Sequence, residues 1–347
     1  MPDVWYGIVA LTLTLFVVLD GYDFGAGMLH LAVARTDDER RSVIAAVGPF
    51  WDGNEVWLLA AGGALFMAFP RVHASGLSGF YFAIMLVVWC LIGRGVALEL
   101  RSHVADPLWR AFWDTGFSIA SLLLALFFGT ALGNVIRGVP LDPDGWFSLA
   151  LFTDFSARPP VGILDRYTVL VGVFAVAVLI AHGGAFLAVR TSGAVRDRSR
   201  VLGMRAWLTV AVAWPLVTWA TAVVHPGFFA AFATRPLAWA GVGLALAGML
   251  VAFFAPRTGR DGLAFAGTSA FIAGLLVATA ACLHPALLAA VPDPARSLTT
   301  RNAAAPSGPL AGALAWYIPG LLLAAAYPLL LARIHRARVR GDEYGGH

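Results

Sequence analysis

Apolar residues run along this chain in nine long blocks, each able to cross the roughly 30 Å hydrocarbon core of a bilayer as a helix. They fall at about 4–34, 47–69, 75–98, 115–136, 167–189, 206–224, 237–255, 263–291 and 310–332, with the eighth expected to break near Pro285. The second block is the odd one. Its purely apolar part, 56–69, is 14 residues, short of the ~20 that a crossing helix needs. The pattern therefore predicts that this helix recruits 47–55 and draws Asp52 and Glu55 towards the membrane. Asp20 and Asp23 interrupt the first block and Arg94 the third.

The predicted fold is all-α and polytopic, with nine transmembrane helices. A faint repeat adds organisation. GMLHLAVARTDDERR after the first block resembles GAFLAVRTSGAVRDRSR after the fifth, and LELRSHVADPLWRAFWDTG resembles FFAPRTGRDGLAFAGTS. It predicts two four-helix bundles, 1–137 and 160–291, with a peripheral ninth helix at 309–333 and a short tail.

Composition agrees with a membrane protein: 59% of the 347 residues are hydrophobic and 13% charged, against about 25% charged in soluble domains. All 24 basic residues are arginine, so a lysine Schiff base is excluded. Seventeen of them fall in alternate loops or beside them, and seven in the others. The positive-inside rule then puts the N-terminus outside and the C-terminus in the cytoplasm. This distribution reports topology; nothing in it suggests nucleic-acid binding. Cys90 and Cys282 lie in separate apolar blocks and build no disulfide framework.

Ionisable groups inside a bilayer are costly and read as functional by default. Asp20 and Asp23 are three apart, as are Asp52 and Glu55, so each pair shares a helix face. Topology alone brings these four acids and Arg94 to similar depth near the inner face. Such a group can conduct or buffer protons; it can equally be a structural cluster paired to Arg94, or an ion or ligand site. Trp51 and Trp57 flank the acids and either pack a quinone ring or simply pack. No histidine pair has metal-ligand spacing, so no metal site is expected in this chain.

With these residues in view, LDGYDFGAGML, GPFWDGNEVWLLAAGGALFMAFP and CLIGRGVALELRS closely resemble subunit II of cytochrome bd-type quinol oxidases; the short second half resembles the cyanide-insensitive branch. The likeness covers nearly the whole chain. It implies a bacterial plasma-membrane protein that is itself non-catalytic and partners a subunit I carrying haem b and haem d. It also implies quinol and lipid as small partners, leaving open a bound quinone here and a small single-helix accessory subunit. By resemblance, cytoplasmic proton entry maps onto Asp52, with Asp20, Asp23 and Arg94 as neighbours; Glu55 and Phe50 depart from some relatives. The competing reading is an autonomous proton-coupled transporter, which the confinement of the acids to one half disfavours.

Overall fold

The computed structural model describes residues 1–335 together with 338 and 339. Arg336, Arg340 and the end of the expected tail lie outside the described residues. In chain order the helices are α1 (Pro2–Val33), α2 (Asp37–Val47), α3 (Trp51–Ala68), α4 (Pro70–Gly79), α5 (Tyr81–Leu100), α6 (Pro107–Arg137), α7 (Arg166–Arg190), α8 (Gly193–Val224), α9 (Pro226–Thr234), α10 (Pro236–Phe254), α11 (Asp261–Leu283) and α12 (Ser307–Ile334). A two-stranded antiparallel ribbon, β1 (Ala286–Leu288) and β2 (Leu298–Thr299), lies between the last two.

Eight of these helices are long and apolar enough to cross a membrane: α1, α5, α6, α7, α8, α10, α11 and α12. The ninth expected span is α3, an 18-residue helix whose first turns carry Asp52 and Glu55. Here the structure corrects the sequence reading. Residues 47–50 do not extend α3; Val47 ends α2, and a turn through Gly48 and Pro49 separates the two helices. Pro49 has no N–H to give to the Ala45 carbonyl and its ring crowds that carbonyl, so the helical ladder ends here although Gly48 keeps helical dihedrals. A further difference is that the expected third span divides at Phe80 into α4 and α5. The eighth breaks near Pro285 as expected: α11 ends at Leu283, and residues after Pro285 pair as the ribbon.

The spans pack in a repeated pattern. In the first half α1 lies against α3 and α6, and α5 against α6; in the second, α7 lies against α8 and α11, and α10 against α11. The halves meet where α1 packs on α7, flanked by α6 on α7 and α1 on α11. Close approach of α1 and α7 requires glycine at two facing positions. A Cβ on Gly25 would stand 2.0 Å from the Leu179 carbonyl oxygen, and one on Gly183 would stand 2.2 Å from the Gly25 carbonyl carbon. Around this seam sits a core of Phe16, Phe24, Leu124, Val178, Leu179 and Phe271.

Helix ends are fixed by polar side chains. Thr36 and Glu39 form a capping box on α2, and Asp165 with Thr168 forms another on α7; each satisfies N–H groups that the first turn leaves unpaired. α12 stands apart, touching α3 and otherwise largely uncovered.

Candidate functional site

α1 passes Asp20 and Asp23 through the bundle interior, where both are fully buried. Buried charge needs a partner, and α5 supplies it. Arg94, also fully buried, places Nη1 2.8 Å from Asp20 Oδ1 and donates from Nη2 to Glu55 Oε1 at 2.6 Å. Its guanidinium lies over the Phe24 ring, 4.6 Å from the centroid. Three helices are thus tied by one arginine.

Among the described residues no cation pairs with Asp23. Its Oδ2 accepts a hydrogen bond from Asn54 Nδ2 at 2.7 Å, and the same amide lies 2.8 Å from Tyr22 Oη and 3.1 Å from the Leu19 carbonyl. Asn54 went unnoticed in the sequence because an amide beside two acids in the first turn of a helix is unremarkable there. Asp23 Oδ1, Asp20 Oδ2 and the Trp57 indole nitrogen are buried without a hydrogen-bond partner among the described residues.

The expected group of four acids and an arginine is therefore divided. Asp20, Asp23, Glu55 and Arg94 come together; Asp52, one turn before Glu55, is exposed and makes no hydrogen bond or ion pair with the described residues. With α3 beginning at Trp51, Asp52 lies in its first turn, where the helix dipole favours a negative charge. Glu55 is at the rim, its side chain 26% exposed. Trp57 is enclosed with Phe16 and Phe24, whereas Trp51 is half-buried with its ring beside Gly95.

A second set of ion pairs lies towards the arginine-rich end. Asp114 of α6 is buried and takes Arg101 at 2.6 Å, His30 at 2.7 Å and Arg40 at 3.1 Å. Asp37 collects Arg41, Arg101 and Arg110, and Glu39 pairs with Arg198 at 2.8 Å. The hydrogen bond from Arg198 holds the Glu39 carboxyl below its ordinary range. At Asp37 burial pushes upwards, but the hydrogen bond and charge of Arg101, with Arg110 and Arg41, leave it lowered. In the second half Asp261, at the start of α11, takes Arg196 and Arg200. At the opposite end Arg137 pairs with Asp165 and donates to the Gly162 carbonyl.

The two buried histidines are engaged within the fold. His182 is hydrogen-bonded through Nδ1 to Thr268 Oγ1 and through Nε2 to the Val18 carbonyl; His30 uses Nε2 on Asp114. Among the described residues no three His, Cys, Asp or Glu side chains form a group able to hold a metal ion, and neither buried histidine presents the open, facing geometry that axial haem ligation requires.

Known proteins carry the same pattern. The family model described as "Cytochrome bd terminal oxidase subunit II" matches residues 1–335. The cytochrome bd ubiquinol oxidase subunit 2 of Bacillus subtilis is 33% identical over 87% of this chain and 86% of its own. A probable cytochrome oxidase subunit 2 of Haemophilus influenzae is 29% identical, covering 94% of this chain and 92% of its own. The cytochrome bd-I ubiquinol oxidase subunit 2 of Escherichia coli K12 is 39% identical over 61% of this chain and 55% of its own. In fold, the chain is similar to the solved bd oxidase of Geobacillus thermodenitrificans, with a TM-score of 0.74, 18% identity and coverage of 96% and 98% of the two chains. Nearly end to end, then, the chain belongs to the cytochrome bd terminal oxidase subunit II family, as a multi-pass subunit of a haem-containing bacterial respiratory quinol oxidase.

Proposed function

We propose that this chain is the scaffold partner of a haem-bearing subunit I and admits cytoplasmic protons towards the oxygen-reducing site held there. The observation that carries this is the order of exposure along the acids: Asp52 exposed, Glu55 at the rim, then Asp20 and Asp23 fully buried. Asp20 and Glu55 share one guanidinium and Asp23 is hydrogen-bonded through Asn54 beside them, so each proton gained or lost changes the net charge of the group. A relay or buffer needs that property; a purely structural pair does not. Arg94 keeps the group together and lets the charged states exist away from water.

On this reading haem b and haem d belong to subunit I, and quinol is oxidised there. Trp51 is the one of the two tryptophans that a quinone ring could still reach; Trp57 is packed on all sides. The arginine-rich end, with Asp37, Asp114 and Asp261, faces the cytoplasm, and the N-terminus lies outside. Subunit I docks on the uncovered side of α3, where Gly62 and Gly63 have open space before them and Leu59 and Phe66 are exposed. The repeated helix contacts support two four-helix units, the second acting as a structural counterweight without counterparts of Asp20, Asp23 and Glu55.

The test uses the assembled oxidase. Glu55→Gln, Asp20→Asn and Asp52→Asn should each slow quinol-driven oxygen uptake with the haem spectrum intact. A loss on the order of 100-fold is the scale for removing a positioned proton-transfer group. Unchanged turnover in an intact complex would reject the relay and leave a structural cluster.

A further inference from the structure

The second half carries a polar feature that the proton reading does not use. Between α7, α8 and α11 lies a cavity of about 30 Å³. It exists because Gly184 and Gly203 bring α7 and α8 together with no side chain between them: a Cβ on Gly184 would be 2.8 Å from the Gly203 Cα. Ser199, Thr268 and Asp261 are on its wall. Ser199 is fully buried, and its Oγ has no hydrogen-bond partner in the chain.

Thr268 has more bonds to make than protons. Its Oγ1 lies 2.8 Å from His182 Nδ1 and 2.9 Å from the Phe265 carbonyl. On the far side of the ring, His182 Nε2 faces the Val18 carbonyl at 2.9 Å and must donate to it. In a neutral imidazole Nδ1 is then bare, and the single Thr268 proton goes to it. Thr268 Oγ1 is left with open acceptor positions on the cavity wall, opposite an orphaned serine hydroxyl.

We propose that this cavity is a built water site, holding one or two molecules that hydrogen-bond Ser199 Oγ and Thr268 Oγ1. The room suffices, since a water needs roughly 10–15 Å³ of such space and two or more polar partners. A wet cavity satisfies Ser199 and supports the neutral His182 ring from behind Thr268. Nothing in this inference depends on the relay through Glu55 and Asp20.

A structure of the intact oxidase at a resolution that shows ordered waters tests it directly. Ordered water, as one peak or two, within about 3.2 Å of Ser199 Oγ and of Thr268 Oγ1 is expected; an empty cavity overturns the proposal. Variants give a second reading. Ser199→Ala should remove or weaken the peak, and an undiminished peak would deny Ser199 its part. Ser199→Val should fill the space, expel the water and lower the melting temperature of the complex, because Thr268 loses a partner. An unchanged or higher melting temperature would mean that the cavity is dry, and should that variant not assemble, the wild-type density decides.

Discussion

Arg94 is the residue on which the acidic site depends. Among the described residues it is the one cation paired with Asp20, and it reaches Glu55 from the same guanidinium. Removing one partner of a buried pair leaves the other charge uncompensated, at a cost of about 3–5 kcal/mol. Arg94→Met should therefore lower the melting temperature of the complex sharply. The double variant with Asp20→Asn should recover part of the loss, because the stranded carboxylate is gone; no recovery would mean that the pair is not what stabilises this region. Sequence reading found Asp20, Asp23, Glu55 and Arg94 because each breaks an apolar run. It could not separate Asp52 from them, since the same-face spacing of Asp52 and Glu55 says nothing about where the helix starts. Asn54, His30, Asp114 and Asp261 were missed for another reason. Polar residues near helix ends are ordinary, and their partners lie 31 to 84 residues away in the chain for the pairs Asn54–Asp23 and His30–Asp114.

At the scale of helices, the seam between α1 and α7 is set by Gly25 and Gly183. Gly25→Ala or Gly183→Ala places a methyl group into opposing backbone, so the helices must separate; assembly of the complex should fall steeply, as seen by recovery of the haem-bearing oxidase. Gly243→Ala, where a Cβ meets nothing within 4 Å, is the control and should be silent. The Glu39–Arg198 pair joins the start of α2 to α8 across the halves. A carboxyl whose folded pKa is lowered stabilises the fold above its unfolded value, ~4.3 for glutamate. That contribution is lost as pH falls through the folded value. Below about pH 4 the α2 amides should show smaller protection factors against hydrogen exchange than at neutral pH, and Glu39→Gln should abolish the difference. Helix positions themselves were largely legible: six of the expected spans fall on α1, α6 to α8, α10 and α12, shifted only at their ends. The breaks at Pro49 and Phe80 and the ribbon after Leu283 were not, because hydrophobicity continues through them while backbone geometry does not.

For the whole molecule, the proposed orientation rests on arginine placement and can be checked without a partner structure. A single cysteine introduced at Asp144 in a background lacking Cys90 and Cys282 should react with a membrane-impermeant thiol reagent in intact cells. One at Gly259, between α10 and α11, should react only after the membrane is opened. The reverse pattern would invert the proposed topology and move the acidic site to the wrong side for cytoplasmic proton entry.

The placement of α12 has a consequence for biosynthesis. Its Tyr327 ring rests over Gly53, and its Tyr317 hydroxyl donates to the Ala60 carbonyl; both receiving residues belong to α3, the shortest and most polar of the spans. The ribosome delivers α12 last. For most of translation, then, the segment bearing Glu55 waits in the lipid without the neighbour that shields it, and a chain truncated ahead of Ser307 should fail to keep α3 inserted.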